Sequence, residues 1–156
     1  MIEETLLYKD LSYKIVGLAM QVHTELGHGF LEKVYENSLM ILLAENRIYA
    51  QQQLPIRVQF HGHVVGEYIA DILVENSVIL ELKAATQLSD VHRAQTLNYL
   101  KATSFRLAIL LNFGKRKLEY ERGLLAIEQS TFQLNLAALE VTRAEADLKG
   151  YHVSAP

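Results

Sequence analysis

Two acidic residues, Asp71 and Glu81, stand in apolar-rich runs, Tyr68 to Val74 and Val78 to Leu82, on either side of the turn-prone Glu75-Asn76-Ser77. Such runs around such a turn predict a β-hairpin. With the turn centred on Asn76, Asp71 falls directly opposite Glu81. Lys83 lies two residues beyond Glu81 and so points to the same face. One sheet face then carries two acids and a lysine amid Ile69, Leu73 and Ile79. Carboxylates that face each other across a ladder repel and ordinarily destabilise a sheet. A divalent cation held between them removes the conflict. The competing reading is a set of solvated strand positions, with Lys83 neutralising one acid; a turn shifted by one residue would also move Asp71 to the other face relative to Glu81.

The 156-residue chain predicts one domain with a buried core, half of its residues being hydrophobic and a fifth charged. It has no cysteine, which excludes disulfides and thiolate metal sites and fits a reducing compartment, so the cytoplasm is expected. No apolar run approaches a membrane span, and Met1-Ile2-Glu3-Glu4 lacks the pattern of a signal peptide. Fifteen basic against 18 acidic residues give a net charge of −3, which weighs against avid DNA binding by a monomer.

Along the chain, Leu7, Leu11, Ile15, Leu18, Val22 and Leu26 recur at helical steps and predict a helix over 5–26, closed by Gly27. His23 beside this stripe reads as a packed core-edge histidine. A second helix is expected over 31–45, with Glu32, Tyr35 and Glu36 on one face. Glu32 falls in its first turn, where the helix dipole alone accounts for an acid. Residues 51–60 alternate as a half-buried strand that Pro55 places at a sheet edge. His61-Gly62-His63 reads as a turn.

After the central hairpin, Ser89 and Asp90 offer caps for a helix to about Lys101 that carries His92, Gln95 and Tyr99 in one stripe. That stripe is either an exposed face or the wall of a polar cleft. Residues 106–113 are almost continuously apolar, as in a strand buried on both faces and parallel to Val78–Ala84. Lys115-Arg116-Lys117 is the one basic cluster, and residues 118–121 suit a short edge strand. Residues 124–156 add a C-terminal extension to a core spanning 1–123; its Leu134, Leu136, Leu139, Val141 and Leu148 call for docking on the core or on a partner.

This order of elements resembles the αβββαβ core of the PD-(D/E)xK phosphodiesterase superfamily, a restriction-endonuclease-like α/β (α+β) fold with a central mixed sheet between helices. Within it the chain looks like the GxxExxY family. Gly29-Phe30-Leu31-Glu32-Lys33-Val34-Tyr35 matches the name motif, Asp71 the lone metal-binding aspartate, Glu81-Leu82-Lys83 the ExK element, and Gln95-Thr96-Leu97-Asn98-Tyr99 the QxxxY motif of RecB-like nucleases. Ala70 stands where the wider superfamily often has proline.

The resemblance implies that Asp71 and Glu81, with the main-chain carbonyl of Leu82, hold Mg²⁺ or Mn²⁺, and that Glu32 completes or extends the shell. It further implies that Lys83 orients the attacking water or offsets developing charge, and that Gln95 and Tyr99 contact the substrate or brace the site. The activity so implied is metal-dependent cleavage of DNA, or of RNA. A catalytically silent binding or assembly module of the same fold, homo-oligomeric through its extension, stays open beside it, as does a hydrolase of small phosphate compounds.

Overall fold

The computed structural model describes residues 8–124. The first turn expected at 5–7 and nearly all of the C-terminal extension lie outside the described residues. Two helices come first, α1 (Lys9–Leu26) and α2 (Glu32–Glu45). Three strands follow, β1 (Ala50–Phe60), β2 (His63–Val74) and β3 (Val78–Lys83), then α3 (Asp90–Ala102), β4 (Leu107–Asn112) and β5 (Glu119–Leu124). The strands form one sheet in the order β1-β2-β3-β4-β5, antiparallel throughout except for the β3–β4 pair. This is the mixed, helix-flanked sheet of the restriction-endonuclease-like fold. Among the described residues no helix is long and apolar enough to cross a membrane.

The sheet separates two cores. On one side, Ile15, Ala19, Val22, Tyr35, Leu39 and Leu43 of α1 and α2 pack on Ile72, Val74, Leu80, Leu82, Ile109 and Leu111. On the other, Tyr99 and Leu100 of α3 pack on Ile56, Ala70, Leu73, Ile79 and Ala108. β4, buried at every position, is covered by both, which is why its sequence is apolar from Leu107 to Leu111. Pro55 lies on the edge strand β1, where a missing N–H donor is tolerated. His23 packs at the core edge, its Nε2 2.7 Å from the Lys115 carbonyl and its ring near Phe113. Lys115 also pairs with Glu119 at 2.9 Å.

The hairpin of β2 and β3 pairs symmetrically about Asn76, with Val74 opposite Val78 and Ile72 opposite Leu80. Glu75 and Asn76 both take left-handed backbone angles in its turn. One local expectation fails. Tyr68 and Ala70, not Ile69, join Leu73 and Ile79 on the α3 side, and Ile69 is 54% exposed. Between Ala70 and Leu73 the strand alternation therefore slips. On β1 the pairing breaks at the matching place: Gln52 pairs with Ile72 and Leu54 with Ala70, while Gln53 between them has φ 57. The outer part of the β1–β2 hairpin is turned over relative to the inner part, and Asp71 sits at the point of inversion.

The chain after Lys83 is held by β4. Asn112, fully buried, accepts from the N–H of Ala85 at 2.9 Å and of Gly114 at 3.1 Å, and its amide donates to the Ala85 carbonyl at 3.0 Å. Gly114 packs so closely here that a Cβ would stand 2.2 Å from the Ala85 carbonyl oxygen and 2.5 Å from its nitrogen. These are backbone atoms, which cannot swing away. Gly114→Ala should therefore cost more than about 2 kcal/mol in urea unfolding, whereas alanine at Gly17, where nothing lies within 4 Å, should be neutral to stabilising.

Candidate functional site

The loop between α1 and α2 is fixed by a glycine and a tyrosine. Gly29 has φ 114, an angle that a side chain would oppose. Tyr35, fully buried, reaches back: its hydroxyl donates to the Gly27 carbonyl at 2.7 Å and accepts from the Phe30 N–H at 3.2 Å. Its ring stacks on Phe113 with centroids 4.6 Å apart. Tyr35 is thus a brace, and it delivers Glu32 to the first turn of α2. The loop, Glu36, Ala84 and Gly114 line a cleft of about 610 Å³.

Glu36 is 3% exposed and accepts three hydrogen bonds on Oε1: from Lys33 at 3.1 Å, Gln52 at 2.9 Å and Gln53 at 2.8 Å. Adjacent residues of a regular strand point to opposite faces. Gln52 and Gln53 reach one oxygen because Gln53 departs from strand geometry. Sequence reasoning placed Glu36 on a helix face but gave it no role. The available signal was its position in the stripe of Leu39 and Leu43, since a carboxylate among core positions is nearly always paired.

Asp71 and Glu81 meet where the ladder between β2 and β3 ends. Main-chain pairing stops at Ile72 opposite Leu80. Beyond it the side chains take over: Asp71 N–H donates to Glu81 Oε1 at 3.0 Å, and Leu82 N–H donates to Asp71 Oδ2 at 2.7 Å. Each carboxylate thereby keeps a second oxygen without a protein donor among the described residues. Burial, and then the charge of Asp71, push the Glu81 carboxyl up to about 8. Burial pushes Asp71 up to about 6 against the Leu82 hydrogen bond, with the charge of Glu36 adding to the rise. The slip at Asp71 is what exposes it both to Glu36 from the α2 side and to the residues of α3.

Lys83 lies on the α3 side of this pair. Its ammonium donates to Gln95 Oε1 at 3.0 Å, and Gln95 Nε2 donates to the Tyr99 hydroxyl at 2.8 Å. The i, i+4 spacing of Gln95 and Tyr99 on α3 sets that second bond. Burial first, then the negative charge of Glu81, holds the Tyr99 phenol well above its usual range, so it is a neutral hydroxyl at all working pH. His92 behaves differently from its neighbours in the stripe. It serves the helix N-terminus, its Nδ1 accepting from Ser89 N–H at 3.2 Å while Ser89 Oγ accepts from His92 N–H at 3.4 Å. A capping position so close to the helix start takes priority over facing a cleft.

The structure thus brings Asp71, Glu81, the main chain of Leu82, Lys83, Gln95 and Tyr99 into one connected cluster. Glu32 is exposed and lines the neighbouring cleft; it reaches Asp71 and Glu81 only as a distant charge, the last in order of effect on each. Among the described residues no three acidic or histidine side chains stand close enough to cage a metal ion. The donor set that does exist, a buried Glu81 and a half-buried Asp71 each with a spare oxygen, suits a hard cation that keeps several waters.

The chain matches the PD-(D/E)XK nuclease superfamily over residues 9–123. Among solved structures it is similar to SSO0001, at 18% identity and a TM-score of 0.49 over 71% of this chain and 57% of that one. The chain thus spans a little over half the length of that relative. It is similar as well to an alkaline exonuclease (LHK-Exo) from Laribacter hongkongensis, at 11% identity and a TM-score of 0.41 over 85% and 78% of the two chains. No curated protein matches it.

Proposed function

We propose that this chain, which belongs to the PD-(D/E)XK nuclease superfamily, is a Mg²⁺- or Mn²⁺-dependent nuclease of the GxxExxY type that hydrolyses phosphodiester bonds of DNA. The observation that carries this reading is the pairing of half-buried Asp71 with buried Glu81 in the field of Lys83, which is itself held by Gln95 and Tyr99. An uncompensated pair of acids costs stability, and a fold keeps such a cost where a cation or a reaction makes use of it.

Asp71, Glu81 and the Leu82 carbonyl would hold the ion, with Glu32 extending the shell from α2. When bound, such an ion lowers the pKa of a coordinated water and offsets charge on the phosphoryl oxygens. The chain's own contribution is positional. Lys83 presents a cation beside the acids at the height fixed by Gln95, where it orients the attacking water and meets charge developing on the phosphate. Tyr99 holds Gln95 by its hydroxyl and so stops the lysine from turning away. Glu36 anchors α2 to β1 behind Asp71. The cytoplasm as compartment, and a second copy or the chain's own core as the surface for the extension beyond residue 123, belong to the same reading.

The test is incubation with Mg²⁺ or Mn²⁺ of labelled linear duplex, circular duplex, single-stranded DNA and RNA. Cleavage of DNA by the wild type, abolished in Glu81→Gln and by chelation, is the expected result. Failure to cut any nucleic acid, joined to the absence of a metal-dependent rise in Tm, would reassign the chain as a binding or assembly module of nuclease fold.

A further inference from the structure

Helix α3 buries two residues on a side that faces away from the sheet. Its inner side is set by Tyr99 and Leu100, which enter the core, with buried Thr96 between them on the helix surface. Ala94 and Asn98 stand two residues before and after Thr96, and at 3.6 residues per turn both point almost opposite to it. Such positions are ordinarily solvated, yet Ala94 is 3% and Asn98 9% exposed. The described elements that α3 packs on, β1, β4 and β5, are all strands of the sheet. Ala94 belongs to none of the hydrophobic clusters of the described residues. The Asn98 Oδ1 is shut off from solvent and accepts no hydrogen bond among the described residues. Buried amide oxygens are nearly always partnered, so this face calls for a cover that brings a donor.

Where the chain goes next, and its sequence there, identify that cover. β5 ends at Leu124 beside α3: a Cβ on Gly123 would lie 3.7 Å from the Leu97 side chain and 3.9 Å from that of Thr96. In the residues that follow, Leu134, Ala137, Val141, Ala144 and Leu148 recur at steps of three, four, three and four, the spacing of a narrow apolar helical seam. Val91, Ala94, Asn98 and Lys101 repeat at the same steps on the outer side of α3. Seams of this spacing pack side by side. Val141 and the two leucines suit the hollow over Ala94. Glu140, Glu145 and Asp147 flank the seam and complement Lys101 in the last turn of α3. Thr142 and Arg143 bring donors for Asn98. Residues 125–133 can span up to about 30 Å, ample to turn from β5 onto the neighbouring helix.

We infer that residues 134–148 lie as a helix along the outer side of α3 of the same chain, covering Ala94 and Asn98 with the seam from Leu134 to Leu148. The inference rests on the reading that the extension docks, and it selects the surface. Because α3 carries Gln95 and Tyr99 on its other side, the extension clamps the helix that holds Lys83.

The chain has no cysteine, so a single introduced thiol reports on one position at a time. Tyr13→Cys, at an 82% exposed position, and Ala108→Cys, fully buried in β4, set the open and closed limits. In full-length protein a water-soluble disulfide reagent should label Ala94→Cys about a hundredfold more slowly than Tyr13→Cys. Adding Val141→Asp or Leu148→Asp should bring that rate to within about threefold of Tyr13→Cys while Ala108→Cys stays protected, the signature of an extension lifted off a folded core. Should an aspartate also expose Ala108→Cys, the milder Val141→Ala with Leu148→Ala decides. Labelling of Ala94→Cys as fast as Tyr13→Cys from the start, or protection that no seam variant disturbs, would overturn the inference. Protection that fades on dilution would overturn the same-chain assignment and place a second copy's extension on α3. Labelling needs no nucleic acid, so protection in a protein that cuts nothing would sustain the clamp while the nuclease reading fell. Cleavage by a protein whose Ala94→Cys thiol is open would do the reverse.

Discussion

Lys83→Ala should lower phosphodiester cleavage by about two to four orders of magnitude while leaving Tm and Mn²⁺ affinity close to wild type. A positioned proton-transfer or charge-stabilising group contributes about that much to a hydrolytic step. The geometry separates the two effects. The Lys83 ammonium is held by the amide oxygen of Gln95 at 3.0 Å rather than by a carboxylate, so removing it leaves the Asp71–Glu81 donor set and its main-chain hydrogen bonds intact. Gln95→Ala acts only through the lysine and should cost less, about tenfold, with the loss in kcat and little change in KM. Tyr99→Phe should cost less again, because it frees one end of the amide without removing it. A Lys83→Ala protein that cleaves at wild-type rate would take the lysine out of the chemistry. If alanine lowered Tm appreciably, Lys83→Met, which keeps the aliphatic stem, would separate packing from charge.

Much of this cluster was legible because strand geometry is short-range. Period-two alternation and a turn that tolerates left-handed angles at Glu75 and Asn76 set the register of β2 and β3, and the register alone brings Asp71 opposite Glu81. The same arithmetic puts Lys83 on the face of Glu81, and the i, i+4 rule puts Gln95 beside Tyr99. The nearly continuous apolar run of β4 announced a strand covered twice.

What could not be read depends on single residues with no pattern behind them. Gln51, Gln52 and Gln53 are identical in type, and nothing local singles out Gln53 for a left-handed angle. That one angle coincides with the turning-over of the hairpin, moves Ile69 out of the α3-side core, and lets two successive side chains bond Glu36. The burial of Glu36 is likewise tertiary, since its donors from β1 lie 16 and 17 residues further along the chain. Tyr35 reads as a companion of Glu32 on a helix face, yet its hydroxyl is spent on the loop before the helix. His92 shares a stripe with Gln95 and Tyr99, but proximity to Ser89 claims it as a cap.

Metal-free protein should lose stability as pH rises from about 4 to about 8, and Glu81→Gln should abolish most of that loss. Both carboxyls have folded-state pKa values raised above their ordinary ones, Glu81 from 4.5 to about 8 and Asp71 from 3.8 to about 6. Across that window the native state therefore binds more protons than the unfolded chain, and stability falls with pH. The contribution is fully present below the ordinary carboxylate pKa and is lost as pH passes through the folded values. The informative quantity is the difference in unfolding free energy between Glu81→Gln and wild type, because it cancels every other titrating group. It should be small at pH 4 to 5 and grow to the order of 3 kcal/mol in favour of the variant by pH 9. Asp71→Asn should show the same sign over a lower and narrower range, with a smaller plateau because Asp71 is partly solvated. Millimolar Mn²⁺ should reverse the comparison, stabilising wild type increasingly above pH 6 while leaving both variants nearly unmoved. A difference curve flat from pH 4 to 9, in urea titrations run with chelator, would mean that the two acids are solvated and unstrained, and the argument for a cation between them would lose its physical basis.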